Sequence, residues 1–441
     1  MTNINQIAVS LDIGTTKVCA IAGRKNEHGK LEILGIGRVE SAGVLRGVVS
    51  NIERTVTAIS EAIQQAERAT KTKFTTVHVG ISGQHVKSLV HRNMLTRSND
   101  HTEIGQGDID RLISELYRVI LPPGDKIIEV IPQEYAVDSE QGILDPIGMS
   151  GIRLEGKFHV VTGQTTASHN IKRCIEKAGL TQTGMTLQGI ASAHAVLSSE
   201  EKEAGVALVD MGGGTTDIVI YHDGIIRHTA VIPFGGNVIT NDIKEGCTVM
   251  QQQAELLKVK FGSALADEVY ENRIITIPGL KGRDHKEISE KNLARIIQAR
   301  VEEIFDYILN EIRKSGYERK LIGGIVLTGG GAMLRHIEQL AEFHTGLNTR
   351  IGLPIEHLAH GYTENISSPN YATAIGLLLK AINERQFQPE VIEEPVVETK
   401  PEEIMTLEAA HEPNNPAEGR WYNSIWQRTK EWFEAEPDTD M

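Results

Sequence analysis

The stretch that most constrains the fold of this chain lies at residues 206–221 and reads VALVDMGGGTTDIVIY. An apolar run, an aspartate, three glycines, two threonines, a second aspartate and a second apolar run follow one another. Apolar runs that are rich in β-branched residues and bounded by glycines favour strands, because branched side chains pack well on a pleated surface. The stretch therefore predicts two adjacent strands joined by a tight glycine loop.

The loop within this stretch (loop 2) suits a bound anion. It consists of Gly212, Gly213, Gly214 and Thr215. Its glycines lack a Cβ, so a ligand can approach the backbone and successive N–H groups can point toward it, while Thr215 adds a hydroxyl donor. Asp210 would repel a bare phosphate, so its position fits a carboxylate that holds Mg²⁺ through water. A tight glycine hairpin that binds no ligand is the alternative.

Residues 7–22, which read IAVSLDIGTTKVCAIA, repeat this pattern in a shorter form. In order, the copy carries Asp12, Gly14, Thr15, Thr16 and Lys17, of which the last four form loop 1. Short internal repeats also arise by chance. If the two copies face one another, Asp12 and Asp210 lie on either side of one metal ion, both loops donate to the same phosphates, and Lys17 is a candidate phosphate contact.

A third glycine loop (loop 3) follows another apolar run in LIGGIVLTGGGAML. Its glycines, Gly329, Gly330 and Gly331, leave the backbone open to close approach by a nucleobase or a phosphate. We expect this loop, residues 328–332, to open the helix that follows it.

The remaining periodicities predict a mixture of helices and strands. Helical spacing is found at residues 52–70, 165–178, 189–197, 251–262, 288–312 and 371–382. Strands are predicted for IIEVIPQEYAVD and GIRLEGKFHVV, and a hairpin is predicted with its turn at Asp223 and Gly224. Glu255 and Lys258 share a face of their helix. Such a pair suits a ribose hydroxyl and a base, or it is an ordinary exposed ion pair.

Composition excludes several classes of protein. The formal net charge of −14 argues against a nucleic-acid-binding body, because nucleic acids are held by clustered Lys and Arg. Cys19, Cys174 and Cys247 show no metal-ligand spacing, which favours a reducing compartment. The N-terminus lacks a signal-peptide pattern, and no stretch is apolar enough to span a membrane. We therefore expect a cytosolic protein without a membrane span.

The composition changes beyond Arg385. Prolines alternate with glutamates and aromatic residues are almost absent, which predicts a disordered acidic linker at 387–419. Every tryptophan of the chain lies after this linker. The apolar face of an amphipathic helix predicted at 420–434 consists of Trp421, Tyr422, Ile425, Trp426, Trp432 and Phe433. Such a helix suits the plane of a bilayer interface, or it docks on the protein's own body or in a partner's groove.

The chain is thereby divided into seven segments. We expect a first nucleotide-binding lobe at 5–82 and 161–200, an inserted subdomain at 83–160, and a second nucleotide-binding lobe at 201–228 and 316–386. An upper subdomain of the second lobe is expected at 229–315, followed by the linker at 387–419, the amphipathic helix at 420–434 and an acidic tail at 435–441. Frequent turn residues and prolines distinguish the inserted subdomain from its neighbours.

The three glycine loops, in this order, resemble those of the actin-like ATPase superfamily, which includes actin, Hsp70 chaperones, sugar kinases and bacterial filament proteins. Within it the chain is similar to the FtsA family, whose members anchor the bacterial division ring. The likeness is carried by DIGTTKVCAI, IPQEYAVD, GILDPIGMSGIRLE, VDMGGGTTDI, VIPFGGNVIT, AELLK and LTGGGA. The resemblance implies an α/β, actin-like (ribonuclease H-like) two-lobed ATPase fold with an inserted α+β subdomain.

The same resemblance implies roles for individual residues. It makes Asp12 and Asp210 the carboxylates that hold Mg²⁺ through water, and loops 1 and 2 the phosphate loops. It places Glu255, Lys258 and loop 3 around the adenosine of ATP. Gln188 stands where actin has a water-orienting Gln and Hsp70 a Glu.

The function implied is a cytoplasmic ATP-binding scaffold that polymerises and holds FtsZ filaments at the inner face of the cell membrane through its C-terminal helix. Turnover of ATP is slow or absent, and other division proteins are recruited through the inserted subdomain. Arg300 matches the part of the family that receives the acidic C-terminal peptide of FtsZ, although a helix-surface Arg needs no such role. The alternatives are a small-molecule kinase, for which no catalytic Asp is evident, and a pilus-assembly ATPase.

Overall fold

The computed structural model describes residues 7–97, 103–278, 284–359 and 364–386. The predicted linker, the predicted amphipathic helix with its apolar face, and the predicted acidic tail lie outside these residues. Within the described ranges, no helix is long and apolar enough to cross a bilayer.

The described chain contains both strands and helices. The strands are β1 Ala8–Ile13, β2 Lys17–Lys25, β3 Leu31–Glu40, β4 Val44–Leu45, β5 Val48–Val49, β6 Thr76–Ile81, β7 Lys87–Thr96, β8 Asp125–Val137, β9 Glu140–Ile143, β10 Arg153–Gln164, β11 Thr181–Leu187, β12 Val206–Met211, β13 Thr216–His222, β14 Ile225–Ile232, β15 Ile274–Ile277, β16 Lys286–Ser289, β17 Ile325–Thr328 and β18 Thr349–Ile351. The α-helices are α1 Ile52–Thr70, α2 Gln106–Leu116, α3 Thr165–Lys177, α4 Gln188–Val196, α5 Ser199–Ala204, α6 Gly236–Cys247, α7 Gln251–Phe261, α8 Glu290–Ser315, α9 Ile337–Thr345 and α10 Ala372–Gln386.

Two five-stranded sheets have the same topology. The first has the order β11-β6-β1-β2-β3, and the second, read in the same sense, has the order β18-β17-β12-β13-β14. In each, three antiparallel strands form a meander, and two parallel strands add beside the first of them. The repeat seen in the sequence therefore corresponds to a repeated architecture. We call the first sheet with α1 and α3 the first lobe, and the second sheet with α8 and α9 the second lobe.

Central strands β1 and β12 are buried along their whole lengths. Both faces of these strands are covered, which is why their sequences are continuous apolar runs instead of alternating ones. The hairpin between β13 and β14 turns at Asp223 and Gly224, whose φ angles are 57° and 72°. The prediction of this hairpin is confirmed.

Most of the predicted helices are confirmed, with shifts at their ends. Helix α1 matches its prediction at both ends, where the Asn51 side chain accepts a hydrogen bond from the Arg54 N–H and Lys71 has φ 55°. The long helix predicted at 288–312 lies at Glu290–Ser315 instead, because Ser289 caps its N-terminus and Gly316 its C-terminus. The prediction that loop 3 opens the following helix is wrong. The loop ends in a short 3-10 turn, Gly331–Met333, and the residues from Leu334 to His336 separate this turn from α9.

The insertion between β6 and α3 forms its own four-stranded antiparallel sheet, in the order β7-β10-β8-β9. One face of this sheet is covered by α2, where Leu112, Leu154 and Phe158 are fully buried. Part of the other face lies against β14 of the second lobe. There Ser88 Oγ donates to the Thr229 carbonyl at 2.8 Å and Gln133 Nε2 donates to the Ile226 carbonyl at 2.6 Å.

Helix α10 packs against both α4 and the first sheet. Its backbone touches that of α4, because a Cβ at Gly376 would lie 1.7 Å from the Ala191 carbonyl oxygen. On its other side, Ser10 Oγ on β1 donates to the Ala374 carbonyl at 2.8 Å. The last described helix therefore completes the core between the two lobes.

The cysteines play no covalent part in this fold. Cys19, Cys174 and Cys247 are all buried and unpaired. Burial raises the pKa of the Cys19 thiol to about 12 and that of Cys174 to about 11. These thiols behave as small apolar core side chains.

Candidate functional site

Loops 1 and 2 form matching turns and touch each other across a cleft between the lobes. The N–H of Gly14 donates to the Lys17 carbonyl at 2.9 Å, and the N–H of Gly212 donates to the Thr215 carbonyl at 2.9 Å. A Cβ at Gly213 would lie 2.3 Å from Thr16 Cγ2. A Cβ at Gly214 would likewise lie 2.5 Å from the Thr15 hydroxyl. Glycine is thus required for the two loops to approach this closely.

Two carboxylates lie at the base of the cleft, one from each lobe. Asp12 accepts hydrogen bonds from Gln188 Nε2 at 3.0 Å and from Lys17 Nζ at 3.4 Å. Asp210 accepts hydrogen bonds from Ser192 Oγ at 2.5 Å and from Thr373 Oγ1 at 3.0 Å. Burial raises the pKa of both carboxyl groups. Lys17 opposes the rise at Asp12, and the Ser192 and Thr373 hydroxyls oppose it at Asp210. Both carboxylates are therefore held in fixed orientations toward the cleft.

A third carboxyl group, Asp217, was not assigned to the site from the sequence. Asp217 accepts hydrogen bonds from Ser82 Oγ, with oxygen–oxygen distances of 2.7 and 2.9 Å, and from Thr215 Oγ1 at 3.3 Å. Burial, followed by the neighbouring charge of Asp210, raises the pKa of Asp217 to about 8. The sequence does carry a signal, because Asp217 follows Thr-Thr in the second copy, where Lys17 follows Thr-Thr in the first.

Gln188 is the first residue of α4, and its side-chain amide bonds to Asp12. Lys17 has a second partner besides Asp12, since Nζ donates to the Asn370 carbonyl. The Lys17 ammonium also lies 5.6 Å from the centre of the Tyr371 ring. The structure therefore places Gln188 and Lys17 in the cleft, together with residues 370–373, which were not assigned to the site from the sequence.

Loop 3 lies against the Asp210 side of the cleft. Gly329 has φ 82°, and a Cβ there would lie 2.2 Å from Asp210 Oδ1, so only glycine fits. Gly330 lines the cleft beside Asn370. Gly331 packs on Met211, since a Cβ there would lie 2.4 Å from the Met211 side chain.

Glu255 and Lys258 form a small polar cluster beside loop 2. Their side chains pair at 2.8 Å, and both bond to Thr240 Oγ1, at 2.5 and 2.7 Å. Lys258 Nζ also donates to the Gly236 carbonyl at 3.0 Å, and the Gly236 N–H donates to the Gly212 carbonyl at 2.9 Å. The pair is thus connected to loop 2 through the start of α6.

Arg300 is not part of this cleft. It lies on α8, and its guanidinium pairs with Asp242 of α6, with Nη2 donating to Oδ1 at 3.0 Å, and with Glu303. In the described part of the chain, no group of three His, Cys, Asp or Glu side chains could hold a metal ion directly.

Comparisons with known proteins agree with this architecture. A family model described as "Cell division protein FtsA" matches residues 207–376, and one described as "SHS2 domain inserted in FTSA" matches residues 83–162. The chain is 42% identical to a cell division protein FtsA of Neisseria meningitidis over 83% of this chain and 88% of that protein. It is 39% identical to one of Pseudomonas aeruginosa over 86% and 90%, and 35% identical to one of Escherichia coli K12 over 85% and 90%.

Solved structures of low sequence identity share the fold. The "PilM-PilN type IV pilus biogenesis complex" aligns with a TM-score of 0.62 at 15% identity, over 85% of this chain and 98% of that one. MreB5 of Spiroplasma citri bound to ADP aligns with a TM-score of 0.53 at 16% identity, over 87% and 99%. The predicted actin-like fold is confirmed. Together with the family models and the relatives above, this shows that the chain belongs to the FtsA family of cell division proteins.

Proposed function

We propose that this FtsA-family protein binds Mg-ATP in the cleft between its lobes. The observation that carries the proposal is the contact of loops 1 and 2 beside the buried carboxylates of Asp12 and Asp210. Their backbone N–H groups suit phosphate oxygens, and carboxylates with water suit Mg²⁺, which prefers oxygen ligands. A neighbour of the same fold, MreB5, is described as bound to ADP.

Within that proposal, each predicted site residue has a role. Loops 1 and 2 hold the phosphates, with Lys17 as a cationic contact, and Asp12 and Asp210 hold Mg²⁺ through water. Glu255, Lys258 and loop 3 surround the adenosine. Gln188 orients water, and the rate of hydrolysis is slow. ATP closes the cleft and thereby sets the conformation that assembles into filaments.

We further propose that the protein is peripheral to the cytoplasmic face of the inner membrane at the division site. Its C-terminal aromatic segment attaches it to lipid, and it tethers FtsZ filaments there by binding the FtsZ C-terminal peptide. The inserted subdomain recruits other division proteins. The support is family membership together with the concentration of all tryptophans beyond the proline-rich segment.

Vesicle flotation of the full-length protein tests this function. The wild type is compared with a variant in which Trp421, Trp426 and Trp432 are each changed to Ala, with FtsZ present and with or without Mg-ATP. We expect the wild type to float and to carry FtsZ with it, and the variant to stay in solution, because buried aromatic surface supplies the membrane affinity.

A control variant separates lost lipid binding from lost folding. Changing Phe343, which is 84% exposed on α9, to Ala removes an aromatic side chain from the body and leaves flotation intact. If the wild type and the tryptophan variant both remain in solution, the membrane role is wrong and the aromatic segment is a docking element for a protein.

A further inference from the structure

A small hairpin of the first lobe has a strained residue at its tip. Strands β4 and β5 pair Leu45 with Val48, so Arg46 and Gly47 form a two-residue turn. Both have positive φ angles, 49° and 77°. Such turns favour Asn, Asp or Gly at the first position, so an arginine there costs conformational energy that the local fold does not require. A strained residue beside a binding cleft is reason to look for a function.

The hairpin and the segment that leads into it are each bonded to loop 1. The Ser41 N–H donates to the Thr16 carbonyl at 3.1 Å, and the Gly47 N–H donates to Thr15 Oγ1 at 3.2 Å. Gly47 lines the cleft, and a Cβ there would lie 3.0 Å from the backbone of Gly83. The position of the turn relative to loop 1 is therefore set by packing and hydrogen bonds.

The cleft has an excess of acidic groups over basic ones. The carboxylates of Asp12 and Asp210 line it, and the one lysine among the lining residues, Lys17, already contacts Asp12 and the Asn370 carbonyl. Mg-ATP carries a further net negative charge, so its phosphates need an additional cation. In the portion of the chain that the structure describes, the exposed Arg46 guanidinium has no ion pair and no hydrogen bond.

We propose that Arg46 is a phosphate-binding residue of the nucleotide site and contacts the terminal phosphate of ATP. The inference rests on the proposed binding of Mg-ATP in this cleft. The Glu255–Lys258 pair, assigned to the adenosine, adjoins loop 2 in the second lobe, whereas the hairpin adjoins loop 1 in the first. Arg46 therefore lies at the end of the cleft that holds the phosphates. Its guanidinium contacts a phosphate that ADP lacks, so the site distinguishes ATP from ADP.

Calorimetric titration of the full-length protein with Mg-ATP and with Mg-ADP tests this role. The variants are Arg46→Ala, Arg46→Lys and Arg46→Gly, and the last suits the positive φ angle, so the fold is kept when the guanidinium is lost. Arg54→Ala is the matched control, because Arg54 is an exposed arginine in the first turn of α1 with no side-chain partner in the described residues. It removes the same charge from the same lobe.

We expect Arg46→Ala and Arg46→Gly to weaken ATP binding about tenfold and ADP binding less than about threefold, as for the loss of one charge-assisted contact. Arg46→Lys lies between them and the wild type, and Arg54→Ala matches the wild type. Melting temperatures without nucleotide stay unchanged or rise for Arg46→Gly, because glycine relieves the strain of the positive φ angle.

If the Arg46 variants keep the wild-type ratio of ATP to ADP affinity, the role of Arg46 is wrong while ATP binding stands. If the wild type binds neither nucleotide, both proposals fall.

Discussion

His159 is a titratable residue at the contact between the inserted subdomain and the second lobe. It is buried, and its Nε2 lies 2.9 Å from Thr229 Oγ1. Burial, followed by the nearby His228, lowers the pKa of His159 to about 4. An unfolded histidine has a pKa of about 6.5. Between about pH 4 and pH 6.5 the unfolded chain therefore binds more protons than the folded chain does. The stability that neutral His159 contributes is therefore fully present above about pH 6.5, and it decreases as the pH drops toward 4.

Replacing His159 with Gln removes this proton uptake while leaving an amide that can bond to Thr229. We expect the wild type to lose more stability than the variant between pH 7.5 and pH 5, by up to about 2 kcal/mol. Urea unfolding at the two pH values measures the difference. The exposed His28, changed to Gln, is the control and leaves the wild-type pH dependence intact. Equal pH dependence of the His159 variant and the wild type would contradict the expectation.

At the scale of single residues, the sequence indicated one half of the site. Asp12, Asp210 and the loop glycines could be found because each carboxylate is separated from its glycines by only a residue or two, in a repeated pattern. Ser192 and Thr373, which bond to Asp210, could not, since they come from α4 and α10 and are 181 residues apart. A lone Ser or Thr on a helix has no local signature, so only the packing of the two helices reveals the pair.

At the scale of elements, the backbones of α4 and α10 are in direct contact. The Gly376→Ala change forces a Cβ to within 1.7 Å of the Ala191 carbonyl oxygen, so the two helices must separate. We expect a loss of about 2–3 kcal/mol in the free energy of unfolding, as for overpacked cores. Weaker ATP binding follows, because α4 begins with Gln188. Urea unfolding followed by circular dichroism measures the first effect and calorimetry the second.

Gly107 provides the matched control for this change. It lies near the start of α2, and a Cβ there meets nothing within 4 Å. Gly107→Ala is expected to keep or raise stability, by up to about 1 kcal/mol, because alanine restricts the unfolded chain and suits a helix. A Gly376→Ala protein as stable as the wild type would show that the helices can shift without cost.

Strands and helices with strong periodicity were predictable, whereas their exact connections were not. The strand-loop-strand units at loops 1 and 2 are local, so their residues are consecutive in the sequence. The 3-10 turn after loop 3 was not foreseen, because Gly331 and Ala332 are held by packing on Met211 and by the core of the second lobe. Tertiary contacts, absent from any short window of sequence, decide such connections.

At the scale of the whole molecule, the proposed FtsZ contact at Arg300 competes with an internal ion pair. The guanidinium already bonds to Asp242, and this partner raises the pKa of Arg300. Asp242→Asn removes one of the two carboxylates that pair with Arg300, the other being Glu303. We therefore expect binding of a synthetic FtsZ C-terminal peptide to strengthen up to about fivefold, the range of a partly exposed ion pair. Arg300→Glu weakens it. Fluorescence anisotropy at two salt concentrations measures both effects.

Arg295 lies on the same helix and is exposed, so Arg295→Glu is the control for a general change of charge. It should alter binding much less than Arg300→Glu. If Asp242→Asn leaves the affinity unchanged and both charge reversals act alike, the peptide is attracted by the overall field of the helix and not by Arg300.

The packing of α10 has a consequence for how the protein is made on the ribosome. Ser10 is among the first residues to emerge, yet its partner Ala374 follows 364 residues later. At about 5–20 residues per second, strand β1 waits about 20–70 s for the helix that covers it. Thr373 on the same helix completes the surroundings of Asp210. A nascent or truncated chain that lacks α10 therefore has no finished cleft.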